Sequence, residues 1–191
     1  MDKVRAMDGE VEKYHKYIDN YSLGNKFHRL CWNICCILLF RPFGLPIFKR
    51  WRNFVLRCWG ADIGKGSIVH SSVVIWAPWN LQIGQRTCIG PYSIIYNPGK
   101  IILGSKVVVS QYAYLCTATH DYTSHLNTLY WKNIVAEDYA WICANAFVGP
   151  GVHIGEGAIV GAGAVMMNDA EAWGVYAGNP AKFIKKRILK D

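Results

Sequence analysis

Residues 81–116 read LQIGQRTCIGPYSIIYNPGKIILGSKVVVSQYAYLC, and the spacing within them decides the fold. Ile83, Ile89 and Ile95 stand six apart, as do Leu103, Val109 and Leu115. Upstream the same step joins Ile63, Val69 and Ile75, and successive triplets are offset by 20. Downstream Ala136, Ile142, Val148, Ile154, Val160 and Met166 keep the step without the two extra residues. Glycine follows the aliphatic position at Ile63, Ile83, Ile89, Leu103, Val148, Ile154 and Val160. A step of six matches neither the helical period nor the alternation of a long strand. It fits one short strand plus one corner, and three such units close a triangular coil of about 18 residues. The repeated aliphatic side chain then points inward and stacks on its equivalent one coil away. Small residues allow the tight corners. The pattern predicts an all-β solenoid of parallel strands whose open ends need capping. The two-residue excess of the longer coils falls at Ala77-Pro78-Trp79-Asn80 and Asn97-Pro98-Gly99-Lys100.

Working outward from the repeats, the chain divides in three. Residues 1–60 read as an N-terminal helical cap region, 61–172 as the repeat array with an inserted loop at 118–133, and 173–191 as a short basic tail. Within the cap, Asn25–Phe40 carries apolar residues at helical spacing: Phe27, Leu30, Ile34, Ile37 and Leu38. A second helix is predicted over Phe48–Trp59. The apolar stripe has two readings: it covers the open first coil, or it lies on a membrane surface.

Composition narrows the classes. Hydrophobic residues make up 52% of the 191, enough to bury a core, which excludes global disorder. The net charge of +8 is concentrated, with 11 basic residues and the single acid Asp62 between residues 20 and 120. Such a block suggests an anionic partner. No nucleic-acid-binding signature accompanies it, so nucleic acid is not expected. No apolar run reaches the length of a membrane span. Met1–Asp19 is polar and charged, unlike a secretory leader, and seven cysteines is an odd number. The expectation is a reducing cytoplasm, with contact at the inner face of the membrane as a peripheral option.

The repeat breaks once, between Leu115 and Ala136. The intervening loop carries His120, Asp121, Tyr122, His125, Tyr130 and Trp131. Loops that interrupt a rigid scaffold are disproportionately functional. Together with the repeats, the strings Thr117-Ala118-Thr119-His120, Ala140-Trp141-Ile142, Pro150–Gly155, Val160–Val165 and Gly178-Asn179-Pro180-Ala181-Lys182 make the chain resemble the hexapeptide-repeat acyltransferases. Maltose and galactoside O-acetyltransferases carry the same Thr-Ala-Thr-His string. Leu23–Lys26, Trp51-Arg52-Asn53, Gly60–Gly64, Ala77–Asn80 and Leu115–Tyr122 bring it closer to the acetyltransferases of colanic acid and related exopolysaccharide biosynthesis. The likeness spans roughly residues 20–188. It implies a left-handed β-helix, whereas the general crossover rule would have given a right-handed one.

The resemblance also implies acetyl-CoA as donor, a homotrimer with the thioester between subunits, and a sugar or lipid-linked oligosaccharide as acceptor. His120 would be the general base. A sugar hydroxyl is a poor nucleophile at neutral pH, and an imidazole titrating near 6.5 suits removal of its proton. Either Asp121 or a backbone carbonyl would orient the ring. Asn97 stands where galactoside-type enzymes place an acceptor-binding Asp, and Asp121 and Trp141 are the other acceptor candidates. Trp141, Ala144, Gly161 and Ala162 match positions that line the pantetheine arm. Lys182 and Lys185 would meet the CoA phosphates.

Two alternatives share the scaffold. One is a catalytically silent assembly or binding subunit, against which His120 and Trp141 argue. The other is a gamma-carbonic-anhydrase-like zinc protein, but His120, His125, His70 and His153 lack the required string, and no metal is expected. The cysteines form no CxxC pair, and Cys35, Cys36 and Cys116 read as core thiols.

Overall fold

The computed structural model describes residues 21–190; Met1–Asp19, set apart above as polar, lies outside the described residues. From Asp62 onward the chain winds as a left-handed parallel β-helix with three faces. The first face holds Asp62–Ile63, Leu81–Ile83, Ile101–Leu103, Ile134–Ala136 and His153–Ile154. The second holds Ile68–Val69, Cys88–Ile89, Val108–Val109, Trp141–Ile142, Ile159–Val160 and Gly174–Ala177. The third holds Val74–Ile75, Ile94–Tyr96, Tyr114–Cys116, Phe147–Val148 and Val165–Met166.

The register is the one the six-residue step requires. Ile63, Ile83, Leu103, Ala136 and Ile154 are partners in successive strands of the first face. Val69, Ile89, Val109, Ile142 and Val160 form the second column. Ile75, Ile95, Leu115, Val148 and Met166 form the third. All fifteen are buried and belong to one core cluster. The glycines after the first-face aliphatics are there for room. A Cβ on Gly64 would overlap the backbone of Gly84, and one on Gly84 the backbone of Gly104. The long coils turn at the expected corner, where Pro78–Asn80 forms a 3₁₀ turn.

The cap consists of α1 (Leu23–Cys35), a π-helical continuation (Cys36–Phe40), and α2 (Lys49–Cys58). Ser22 caps α1 by accepting a bond from Asn25 N at 3.2 Å. The upper edge of the first coil has carbonyls with no coil above them, and buried carbonyls need donors. The cap supplies these. Trp32 Nε1 donates to Ile75 O at 2.8 Å, Asn53 Nδ2 to Ser67 O at 2.8 Å, and Arg52 Nε to Val69 O at 2.9 Å. Arg57 donates to Ile63 O.

The structure adds two details. The face of α1 that packs is Trp32, followed by Cys36 and Phe40, while Phe27, Leu30, Ile34, Ile37 and Leu38 point away from the solenoid. Leucine and isoleucine side chains have no hydrogen to offer an edge carbonyl, and the Trp32 indole does. The C-terminal segment is more than a tail. Gly174–Ala177 extends the second face in parallel with Ile159–Val160, and Lys182–Lys186 folds back antiparallel beside it.

Candidate active site

The inserted loop is a hairpin. Ala118–His120 pairs antiparallel with Leu129–Trp131, in the register Ala118 with Trp131, Thr119 with Tyr130 and His120 with Leu129. It leaves the solenoid just after the third-face strand Tyr114–Cys116, and Lys132 N returns a bond to Thr117 O at 2.9 Å. His120 is half-buried near the hairpin's end.

Asn127 holds the ring. Its carbonyl lies 2.7 Å from His120 Nδ1. A carbonyl only accepts, so chemistry assigns the hydrogen to Nδ1 and leaves the Nε2 lone pair free. The carbonyl is aimed by the turn: Asn127 has φ of 45°, in the left-handed region that Asn tolerates, and its N donates to Ser124 O at 3.0 Å. Of the two ring-orienting options, the structure takes the backbone carbonyl. Asp121 turns the other way. Its Oδ1 accepts from Thr123 N at 2.9 Å and from the Thr123 hydroxyl. Those bonds hold the carboxyl below its ordinary range.

Asn97 has a different role from the acceptor contact expected of it. It is fully buried, Oδ1 accepts from Ala77 N at 2.9 Å, and Nδ2 donates to Ala77 O at 2.7 Å. The amide therefore ties one coil to the next, and its burial keeps it out of reach of a sugar. The spacing placed the residue correctly along the coil, but it could not show that the side chain turns inward.

The remaining expected residues share one strip of the second face. Trp141 projects outward, 42% exposed, and its indole donates to Ser110 Oγ at 3.0 Å. The next corner carries Ala144, with Gly161 and Ala162 one coil further on, and Gly163 N bonds Ala144 O at 2.9 Å. Gly161 also serves the scaffold, since a Cβ there would press on Tyr176 O. Lys182 and Lys185 are exposed on the strand that closes this face. Within one chain, then, the strip and the hairpin spring from different sides of the triangle. Among the described residues no group of three metal-ligating side chains stands together.

Sequence reading missed an aromatic bridge from the cap to the hairpin. Tyr21 lies 5.1 Å from the Trp76 ring and stacks on Trp131 at 6.1 Å. Arg29 of α1 sits 4.0 Å over Trp76. Arg29 offered a charge and Trp131 a ring, but no periodicity joins residues so far apart.

Comparison with known proteins fits this architecture. Residues 137–168 match the family described as bacterial transferase hexapeptide (six repeats). Over 142 residues the chain is 39% identical to a protein of Escherichia coli (strain K12) that carries the name colanic acid biosynthesis acetyltransferase WcaF, covering 74% of this chain and 78% of that one. The chain belongs to the hexapeptide-repeat acetyltransferases. A maltose O-acetyltransferase of Clostridium difficile 630 superposes with a TM-score of 0.77 at 25% identity, covering 88% of this acetyltransferase and 90% of the other. A galactoside acetyltransferase solved in complex with coenzyme A has the same fold, with a TM-score of 0.80 at 21% identity over 88% and 85% of the two chains.

Proposed function

We propose that this acetyltransferase moves the acetyl group of acetyl-CoA to a hydroxyl of a sugar in an exopolysaccharide or other surface-glycan precursor. The observation that carries the reading is the His120–Asn127 bond. It fixes the tautomer whose Nε2 can accept a proton, on a hairpin in a chain of acetyltransferase kinship. His120 Nε2 takes the acceptor's hydroxyl proton as the oxygen attacks the thioester carbonyl carbon. The imidazolium then gives that proton to the departing thiolate as the carbon–sulfur bond breaks. Trp141, Ala144, Gly161 and Ala162 would flank the pantetheine arm, with Lys182 and Lys185 toward the phosphates.

The site needs a second copy, because the strip and the hairpin face different ways. A homotrimer with the hairpin of one protomer against the second face of its neighbour is supported by the outward side chains. Ile68, Val108 and Trp141 on the second face and Val74 and Ile94 on the third are exposed and apolar, and Tyr92 stacks on Tyr112 at the corner between them. The first face is mixed, with Asp62, Gln82 and His153 exposed and Ile102 and Val135 half-buried between them. A closed ring of three buries such a surface without leaving an edge. The reading places catalysis in the cytoplasm, where acetyl-CoA is found, at the inner face of the membrane if the acceptor is lipid-linked.

The test is thiol release from acetyl-CoA with purified protein and isolated glycan precursors, with mass spectrometry of the product. Transfer to a sugar hydroxyl that fails with His120→Ala, while the variant still binds acetyl-CoA, supports the reading. Undiminished turnover in that variant overturns it.

A further inference from the structure

Helix α1 is apolar on two opposite sides. Its inner side, centred on Trp32, packs on the first coil. Leu30 and Ile34 are two positions from Trp32, about 200° around the helix at 3.6 residues per turn. They belong to a stripe of Leu23, Phe27, Leu30, Ile34 and Ile37, in which Phe27 is 69%, Leu30 56% and Ile34 51% exposed. The stripe is about 21 Å long at 1.5 Å per residue. Leu45 and Ile47 on the link to α2 and Phe54 on α2 itself are exposed as well. Contiguous apolar surface of this kind marks an interaction site, where single exposed side chains do not.

The charge around the stripe selects its occupant. Residues 20–61 contain seven Lys and Arg and no Asp or Glu. Arg52 is consumed inside the cap by the carbonyls of Val69, Phe43 and Leu45. Arg41, Lys49, Arg50 and Arg57 stay at the surface. Lys49, Arg50 and Arg57 join Lys65 and Phe54 around a cleft of about 680 Å³ between α2 and the first coil. A second copy meeting this surface symmetrically would bring like charges together. An anionic bilayer complements both of its components.

We infer that the cap is a bilayer-docking surface. The outer stripe of α1 enters the boundary between headgroups and acyl chains, and the cations of the link and α2 meet the anionic headgroups. This deepens the acceptor reading above and rests on it in one respect. Tyr21, two residues ahead of α1, stacks on Trp131 of the His120 hairpin, so a bilayer held by α1 lies beside the site to which a lipid-linked sugar would come.

Vesicle flotation tests it with the full chain, using phosphatidylcholine alone and phosphatidylcholine mixed with phosphatidylglycerol. The chain should float with the mixed vesicles at low salt and lose binding at high salt. The double variant Leu30→Glu, Ile34→Glu should bind roughly a hundredfold more weakly. Lys49→Gln with Arg50→Gln should cost about fivefold per charge. Both variants should keep the wild-type sedimentation mass and unfolding midpoint. The inference falls if the wild type ignores the mixed vesicles at low salt, or if the Glu variant floats equally well. It also falls if the Glu variant loses oligomer mass, which would make the stripe a contact between copies, or if flotation requires removal of residues 1–20, which would make it a seat for the chain's own N-terminal segment. The assay contains no acetyl donor or acceptor, and His120→Ala should float like the wild type, so its outcome is separate from that of the catalytic proposal.

Discussion

The coils and the hairpin that interrupts them are held in different ways. A residue such as Leu103 is buried, with Ile83 on one side and Ala136 on the other in the same column. The hairpin has two short strands, and Tyr122, Leu126, Tyr130 and Trp131 lie open on it. Stability is therefore concentrated in the coils, and His120, the base proposed above, sits on a segment that contributes little to the core. The His120 ring is nevertheless fixed, because one backbone carbonyl on the hairpin is aimed at it.

Substitutions at four positions would break or sharpen that contrast. His120→Ala should lower acetyl transfer by about 10²–10⁴, the usual cost of a positioned base, with an unfolding midpoint close to wild type by calorimetry. Leu103→Ala should do the reverse, costing about 2–5 kcal/mol in denaturant titration while the folded fraction keeps its turnover. Asn97→Ala tests the reassignment of that residue. Leaving the buried Ala77 N–H unpaired, while the Ala77 carbonyl keeps only its bond from Asn80 N, should cost about 1–3 kcal/mol of stability, with KM for the acceptor unchanged in the folded protein. A raised acceptor KM at unchanged stability would return Asn97 to the binding site. The smallest effect belongs to Asn127. A β-branched residue is strained at positive φ by about 1–2 kcal/mol, so Asn127→Val should shift the carbonyl and lower kcat about tenfold. Asn127→Gly keeps both the carbonyl and the conformation, and should turn over like wild type.

How much of this could be read beforehand differs by region. Every inward residue of the three columns followed from the six-residue step, because a coil that stacks on itself allows only one register. The string at Thr117–His120 singled out His120 as a candidate, but it did not show which group holds the ring. A carbonyl belongs to every residue alike, and only the turn at Asn127 decides which one reaches the ring. Asp121, next in the chain, was the natural candidate, yet Thr123 satisfies it locally. Asn97 shows the same limit in reverse: its position along the coil was legible, and the direction of its side chain was not.

The helical cap separates the two kinds of information most clearly. Sequence by itself determined that residues 25–40 form a helix with an apolar stripe, that a second helix follows, and that no acid balances their cations. Periodicity could not say which side of α1 packs, because Trp32, Cys36 and Phe40 repeat at helical spacing just as Phe27, Leu30 and Ile34 do. Tertiary structure made that choice. The first coil ends in carbonyls of Ile63, Ser67, Val69 and Ile75 that no further strand covers, and Arg57, Asn53, Arg52 and Trp32 carry the donors that satisfy them. An unpaired buried carbonyl costs more than an exposed leucine, so the indole turned inward and the aliphatic stripe was left facing out.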